Sequence, residues 1–176
     1  MKSIRLSSRY AKSLLLLVAE QDTLEVTLSD MKHIVDVCSE NKDLLLLLKS
    51  PIVKTDKKIS ILTEIFSKSV SDITMAFIQI ITTKKREMYL EGIAESFISL
   101  YKSHKNIETV ILTTANPIDD ITQSKILDYV KKNGKSDVEL VEIIDENIIG
   151  GMVVKIGDKQ LDASVIRDIK ELKKRA

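Results

Sequence analysis

The chain has 176 residues, of which 44% are apolar, 30% are charged and two are prolines. That is enough for one large or two small folded domains, and it excludes collagenous, disulfide-framed and low-complexity classes. A net charge of +1 gives no global attraction to nucleic acid. With 16 Lys+Arg against 13 Asp+Glu in residues 1–105, and 11 against 13 in 106–176, neither half is a polyanion binder. The single cysteine, Cys38, rules out an internal disulfide and suits a reducing compartment.

The opening MKSIRLSSRYAKSLLLLVAEQD is basic and leucine-rich. Its leucine run is short, acids follow, and no small-residue cleavage site stands behind it, so it reads as a helix and not as a signal peptide. From there to about residue 105 the apolar period is helical. Breaks near Asp22-Thr23, Glu40-Asn41, Ser50-Pro51, 67–71 and 84–86 predict six helices at 3–20, 23–40, 43–49, 55–67, 70–83 and 86–104. The five leucines from Leu44 to Leu48 lie between Asp43 and Lys49, far short of the about 18 apolar residues that a membrane span needs.

Beyond Asn106 the pattern changes. Residues 108–114 are strand-like, Asn116-Pro117 breaks them, and 119–132 reads as a helix with Gly134 as its C-terminal cap. Two runs rich in β-branched residues, 138–144 and 152–156, flank a polar turn and Gly150-Gly151, the pattern of a hairpin. Asp162-Ala163-Ser164 is a helix-start signal leading into VIRDIKELKK. The predicted fold class is therefore α+β: an N-terminal six-helix bundle over 1–105, then a small C-terminal β-α-β-β-α domain over 106–176.

Two helices are apolar on more sides than one core can use. At 100° per residue the first puts Ala11, Leu14, Leu15 and Val18 on one stripe and Leu6, Tyr10 and Leu17 on another. The fifth puts Ile73, Ala76, Phe77 and Ile80 on one stripe, with Met75 and Ile78 on the far side. The sixth has a single apolar face, Leu90, Ile93, Ala94, Phe97, Leu100 and Tyr101, opposite Glu87, Glu91 and Glu95. Either the first and fifth helices are central to the bundle and buried all round, or they border a groove that accepts a partner helix.

Reaction chemistry is not signalled. No Gly-rich loop ends in Lys-Ser/Thr, and neither GxSxG nor HExxH occurs, so the reading assigns no catalytic residue, no metal ligand and no cofactor. His33 and His104 are far apart in sequence and read as surface histidines. Cys38 shares a helix face with Leu24, Leu28, Met31 and Val35 and reads as a buried, unreactive thiol. Gly150-Gly151 precedes a strand, not a helix, so a bulge or a close strand approach accounts for it better than a phosphate turn. The basic tail, Lys170, Lys173, Lys174 and Arg175, either complements a helix C-terminus or meets acidic residues or lipid headgroups.

The stretch VELVEIIDENIIGGMVVKIG resembles the C-terminal signature of the delta subunit of F-type ATP synthases, the oligomycin-sensitivity-conferring protein family. Asp145, Gly150, Gly151, Lys155 and Gly157 stand at its acid, small-Gly, polar and Gly positions. RYAKSLL at 9–15 is similar to the family's first-helix motif, and LLLLKSPIVKTDKKISIL at 45–62 to its helix–Ser-Pro–helix connection, with Lys58 at its lysine position. Arg86 stands at a family arginine. The Asn-Gly that commonly precedes it is Lys84-Lys85 here, which predicts a more helical turn.

The resemblance implies a non-catalytic stator subunit on the cytoplasmic side of the inner (plasma) membrane, one copy per complex, with no nucleic-acid partner and membrane contact only through the complex. It implies that the first and fifth helices receive an alpha-subunit N-terminal helix, with Leu6, Tyr10, Leu17, Met75 and Ile78 as candidate contacts. The C-terminal domain would hold the b subunits of the peripheral stalk. Val165, Ile166, Ile169 and Leu172 on one side of the last helix are the candidates there, unless that stripe packs on the sheet. The alternative is an unrelated two-domain adaptor or regulator, which would lack the family hairpin and show a basic recognition surface. An enzyme would need clustered acid, base or metal groups.

Overall fold

The computed structural model describes residues 2–119, 123, 137–157, 159–167 and 169. It divides into two compact units, Met1–Tyr101 and Lys102–Ala176. The first is helical: α1 (Lys2–Glu20), α2 (Leu24–Glu40), α3 (Lys42–Lys49), α4 (Thr55–Phe66), α5 (Asp72–Thr83), a 3-10 turn (Glu87–Tyr89) and α6 (Leu90–His104). Its core takes Ala11, Leu14, Leu15 and Val18 from α1, Met31, Ile34 and Cys38 from α2, Leu62 and Phe66 from α4, and Ile93, Ala94 and Phe97 from α6. The five-leucine run forms a two-turn helix that buries Leu44 and Leu48 and leaves Leu46 exposed.

The ends of these helices carry much of the local specification. After α1, Asp22 takes φ 55° and Thr23 N–H donates to Val18 O at 3.0 Å, the left-handed cap that satisfies a terminal carbonyl. The same cap ends α5. Lys85 takes φ 57°, and Arg86 N–H donates to Ile81 O at 3.0 Å. Lys85 thus takes up the left-handed conformation that glycine enters freely, so this is not the more helical turn expected from Lys84-Lys85. At the other end of α5, Ser71 Oγ accepts from Thr74 N–H, while Asp30 of α2 accepts from Ser71 N–H at 2.9 Å and from Ser71 Oγ at 2.6 Å.

Glu87 departs from expectation. It is buried instead of lying on the solvent side of the sixth helix, and its Oε1 pairs with Lys58 Nζ at 2.7 Å. Lys58 also donates to Leu48 O at 2.8 Å. One buried ammonium therefore ties the end of α3, the first turn of α4 and the 3-10 turn before α6.

The second unit holds a four-stranded sheet: β1 (Ile107–Thr114), β2 (Asp137–Ile144), β3 (Gly151–Ile156) and β4 (Lys159–Ser164), in spatial order β2-β1-β3-β4. β1 lies parallel to β2 and antiparallel to β3, with Val110 opposite both Leu140 and Ile156. This corrects the expected hairpin. The runs at 138–144 and 152–156 are strands but not neighbours, because β1 lies between them. The hairpin is β3 with β4, turning through Gly157 at φ +55°. β4 also takes over Asp162 and Ala163, which the sequence reading gave to a helix start. Only Ser164 serves as the cap, its Oγ accepting from Arg167 N–H at 3.3 Å, and residues 165–167 and 169 are helical.

Val110, Leu112 and Val154 form the core of this unit, with Ile118, Leu140, Met152 and Ile156 packed against them. Gln123 N–H donates to Asp119 O at 3.0 Å, within the span where the 119–132 helix is expected. The rest of that helix, Gly134, Leu172 and the basic tail lie outside the described residues.

Gly151 shows why a glycine pair stands before β3. Its φ is +79°, and a Cβ there would lie 2.2 Å from Ala163 O of the paired strand. Of the two accounts the sequence allows, a bulge or a close strand approach, this is the close approach. Asp145 caps the turn before it, its Oδ1 accepting from Asn147 N–H at 3.0 Å and from Asn147 Nδ2 at 2.7 Å.

Candidate protein-interaction surfaces

The geometry of α1 follows the two-stripe pattern. Ala11, Leu14, Leu15 and Val18 are buried, Leu6 and Tyr10 are half-buried, and Leu17 is 45% exposed. Ser7 is buried beside Gly92 of α6, where an added Cβ would stand 3.2 Å from Ser7 Oγ, so small residues on both helices let α1 seat closely. That seating turns Leu6, Tyr10 and Leu17 together toward one side of the helix.

On α5 the faces are the reverse of those expected. Ile78, taken as an outward contact, is 1% exposed and belongs to the core with Thr74, Ile81 and Thr82. Met75 is half-buried beside that face. The outward apolar strip is the other stripe: Ala76 and Ile80 are exposed, Ile80 at 54%, and Ile73 and Phe77 are half-buried. Ala76, Gln79, Ile80, Thr83 and Lys84 line a shallow depression there. The physical reason lies in the two threonines. Thr82 Oγ1 donates to Ile78 O at 2.8 Å, and Thr74 Oγ1 donates to Ser71 Oγ at 3.1 Å, whose own proton goes to Asp30, so both hydroxyls are satisfied locally and enter the core at little cost. α1 and α5 both pack against α2.

In the second unit, Val165 and Ile169 are partly exposed and Ile166 is half-buried, so the start of the last helix presents apolar surface. Val165 N–H donates to Gly150 O at 3.0 Å and anchors that helix to the glycine pair.

Titratable side chains do not gather into a reaction centre among the described residues. No group of three His, Cys, Asp or Glu there is placed to hold a metal ion. His33 is half-buried and meets Phe66 edge-on at 6.2 Å, more core-associated than a surface histidine, while His104 is exposed. Cys38 is buried, and burial, with the nearby Glu91 charge, pushes its thiol up to about 11, far from the thiolate a nucleophile needs. Burial, then the hydrogen bond to Glu25 Oε1 at 2.6 Å and the Glu25 charge, pushes the Tyr101 hydroxyl up to about 12. No helix among the described residues is long and apolar enough to cross a membrane.

The described residues thus form a helical unit with apolar strips on two of its helices and a second unit built on a small mixed sheet. Comparison with known proteins gives that build a family. The model of the ATP synthase delta (OSCP) subunit family matches residues 6–175, and the chain belongs to that family. It is 38% identical over 173 residues to ATP synthase subunit delta of Cytophaga hutchinsonii, covering 98% of this chain and 94% of the relative. To the protein of that name in Christiangramia forsetii it is 36% identical over 174 residues, covering 99% and 94%. A chain in a cryo-EM structure of the Toxoplasma gondii mitochondrial ATP synthase hexamer superposes with a TM-score of 0.74 at 21% identity, over 97% of this chain and 96% of that one, a likeness of fold.

Proposed function

We propose that this protein is the non-catalytic stator subunit that ties the catalytic head of an F-type, proton-translocating ATP synthase to its peripheral stalk. Rotary catalysis applies torque to the head, and an untethered head would turn with the rotor. The tie must be tight, but it needs no reaction centre. The observation that carries this reading is the family match over 6–175, supported by apolar side chains that α1 and α5 leave uncovered.

On this reading the six helices act as one bundle that grips the N-terminal helix of an alpha subunit, through Leu6, Tyr10 and Leu17 of α1 and, on α5, Ile80, Ala76 and Phe77 in place of Ile78. Met75 borders the same helix. The second unit holds the b subunits, with Val165, Ile166, Ile169 and Leu172 as the contact. One copy serves each complex, on the cytoplasmic side of the inner membrane, attached peripherally through its partners.

The test is purification of the tagged full chain from native membranes, with partners identified by mass. Alpha and b subunits are expected in stoichiometric amounts and should be lost together with ATP-synthase activity when the chain is depleted. Recovery of the chain without either subunit overturns the assignment.

A further inference from the structure

The outward strip of α5 is asymmetric in charge. The helix is about 18 Å long at 1.5 Å per residue. Exposed Asp72 stands at its start, and exposed Lys84, Lys85 and Arg86 at its end. Among the described residues no carboxylate lies within ion-pair distance of these three cations. Their backbone is fixed by the left-handed cap, through Lys85 N–H to Thr82 O at 2.9 Å and Arg86 N–H to Ile81 O at 3.0 Å. Lys84 itself lines the depression beside Ile80 and Ala76. The strip thus ends in a positively charged rim on a rigid turn, next to the apolar residues a partner would cover.

Apolar contact is non-directional, and a strip of Ile73, Phe77 and Ile80 alone leaves a docked helix able to shift by a turn or reverse. Charges at one end remove that freedom, because electrostatic complementarity fixes register and raises the encounter rate more than it adds affinity. Resting on the reading that this face receives an alpha-subunit helix, we propose that Lys84, Lys85 and Arg86 set the direction and register of that helix by pairing with two or more carboxylates at one of its ends. Carboxylates are most favourable in the first turn of a helix, where they complement its dipole. The end over the rim is therefore the partner's N-terminus, and the partner runs antiparallel to α5.

The test uses the full chain and a synthetic peptide of the alpha-subunit N-terminal helix encoded in the same genome. The variant Lys84→Gln/Lys85→Gln/Arg86→Gln is compared with Ile80→Asp, each first checked for an unchanged melting temperature. At about 50 mM salt the triple variant should bind about tenfold more weakly, mostly through a slower association rate. The difference should vanish near 1 M salt, where charges are screened within about 3 Å. Carbodiimide coupling should join Lys84 or Lys85 to carboxylates in the N-terminal half of the peptide. Unchanged affinity of the triple variant while Ile80→Asp abolishes binding keeps the site and overturns the rim. Coupling confined to the peptide's C-terminal half overturns the direction. Wild-type binding by Ile80→Asp removes the docking face itself. Unchanged peptide affinity with lost binding to phosphatidylglycerol vesicles would assign the rim to lipid and overturn the proposal.

Discussion

The buried pair Lys58–Glu87 offers the sharpest stability test. Both side chains are almost wholly out of water, the ammonium and Oε1 are 2.7 Å apart, and Lys58 also holds Leu48 O. Glu87 Oε2 has no hydrogen-bond partner among the described residues, so there the carboxylate relies on that one ammonium for its compensation. Lys58→Met fills much the same volume but strands the carboxylate and frees the α3 carbonyl. Removing one member of a buried pair costs about 3–5 kcal/mol. A domain of this size holds about 5–15 kcal/mol in all, so the melting temperature of the helical unit should fall by more than about 12 °C. Glu87→Gln keeps an oxygen for Lys58 and should cost about half as much. The double variant Lys58→Met/Glu87→Leu leaves no buried charge and should recover most of the loss, with a coupling energy above about 2 kcal/mol. Urea unfolding of the full chain, followed by circular dichroism at a helix-sensitive wavelength, measures all three. A Lys58→Met variant within about 1 kcal/mol of wild type, or a double variant worse than either single one, refutes the reasoning.

Ile78→Asp should unfold the helical unit, since it buries an unpaired carboxylate at a cost of several kcal/mol, whereas Leu17→Asp should keep the fold and lose the partner helix; thermal melts and peptide titration separate the two. Lys85→Gly should raise stability by about 0.5–1 kcal/mol, because glycine accepts φ 57° without a Cβ clash, and a lower midpoint in urea would contradict this. Gly151→Ala should cost several kcal/mol, as φ +79° is strained and the new Cβ would meet Ala163 O, which proteolysis of the second unit would report. Tyr101 is held protonated in the folded state up to about 12 against an ordinary value near 10. Its contribution to stability is therefore complete below about pH 10 and is lost as pH rises toward 12; ultraviolet titration should show a late-ionising tyrosine that Tyr101→Phe removes.

The helical unit was largely legible because its signals are local. Helical period and break residues located all six helices to within a residue or two, apart from the sixth, whose first turn is a 3-10 turn built around Glu87. What the sequence reading missed there depends on partners distant in the chain. Glu87 counts as a surface acid until Lys58, 29 residues away, is seen beside it. Asp30 attracts no notice until its carboxylate is found on Ser71. The faces of α5 are not legible from its apolar residues alone, because the buried face includes Thr74 and Thr82, whose hydroxyls bond locally and pack as small apolar groups.

The sheet unit fails in a different and more informative way. Three of its four strands were located, yet the pairing was wrong, because strand propensity belongs to one segment and pairing to two. β2 and β3 are joined by a short turn and look like a hairpin, but a direct pair would leave the outer edge of one of them for β1. Placing β1 in the centre gives it two partners and buries Val110, Leu112 and Thr114 on one face. β4, with Lys159, Gln160 and an exposed Leu161, has the polar composition of an edge strand and too little apolar alternation to be read as a strand at all. The one early sign of it was the glycine pair. Gly151 has no room for a Cβ because Ala163 O lies across from it, so of the two accounts open for that pair, a bulge or a close strand approach, the second holds, and the approaching strand lies where a helix start is expected.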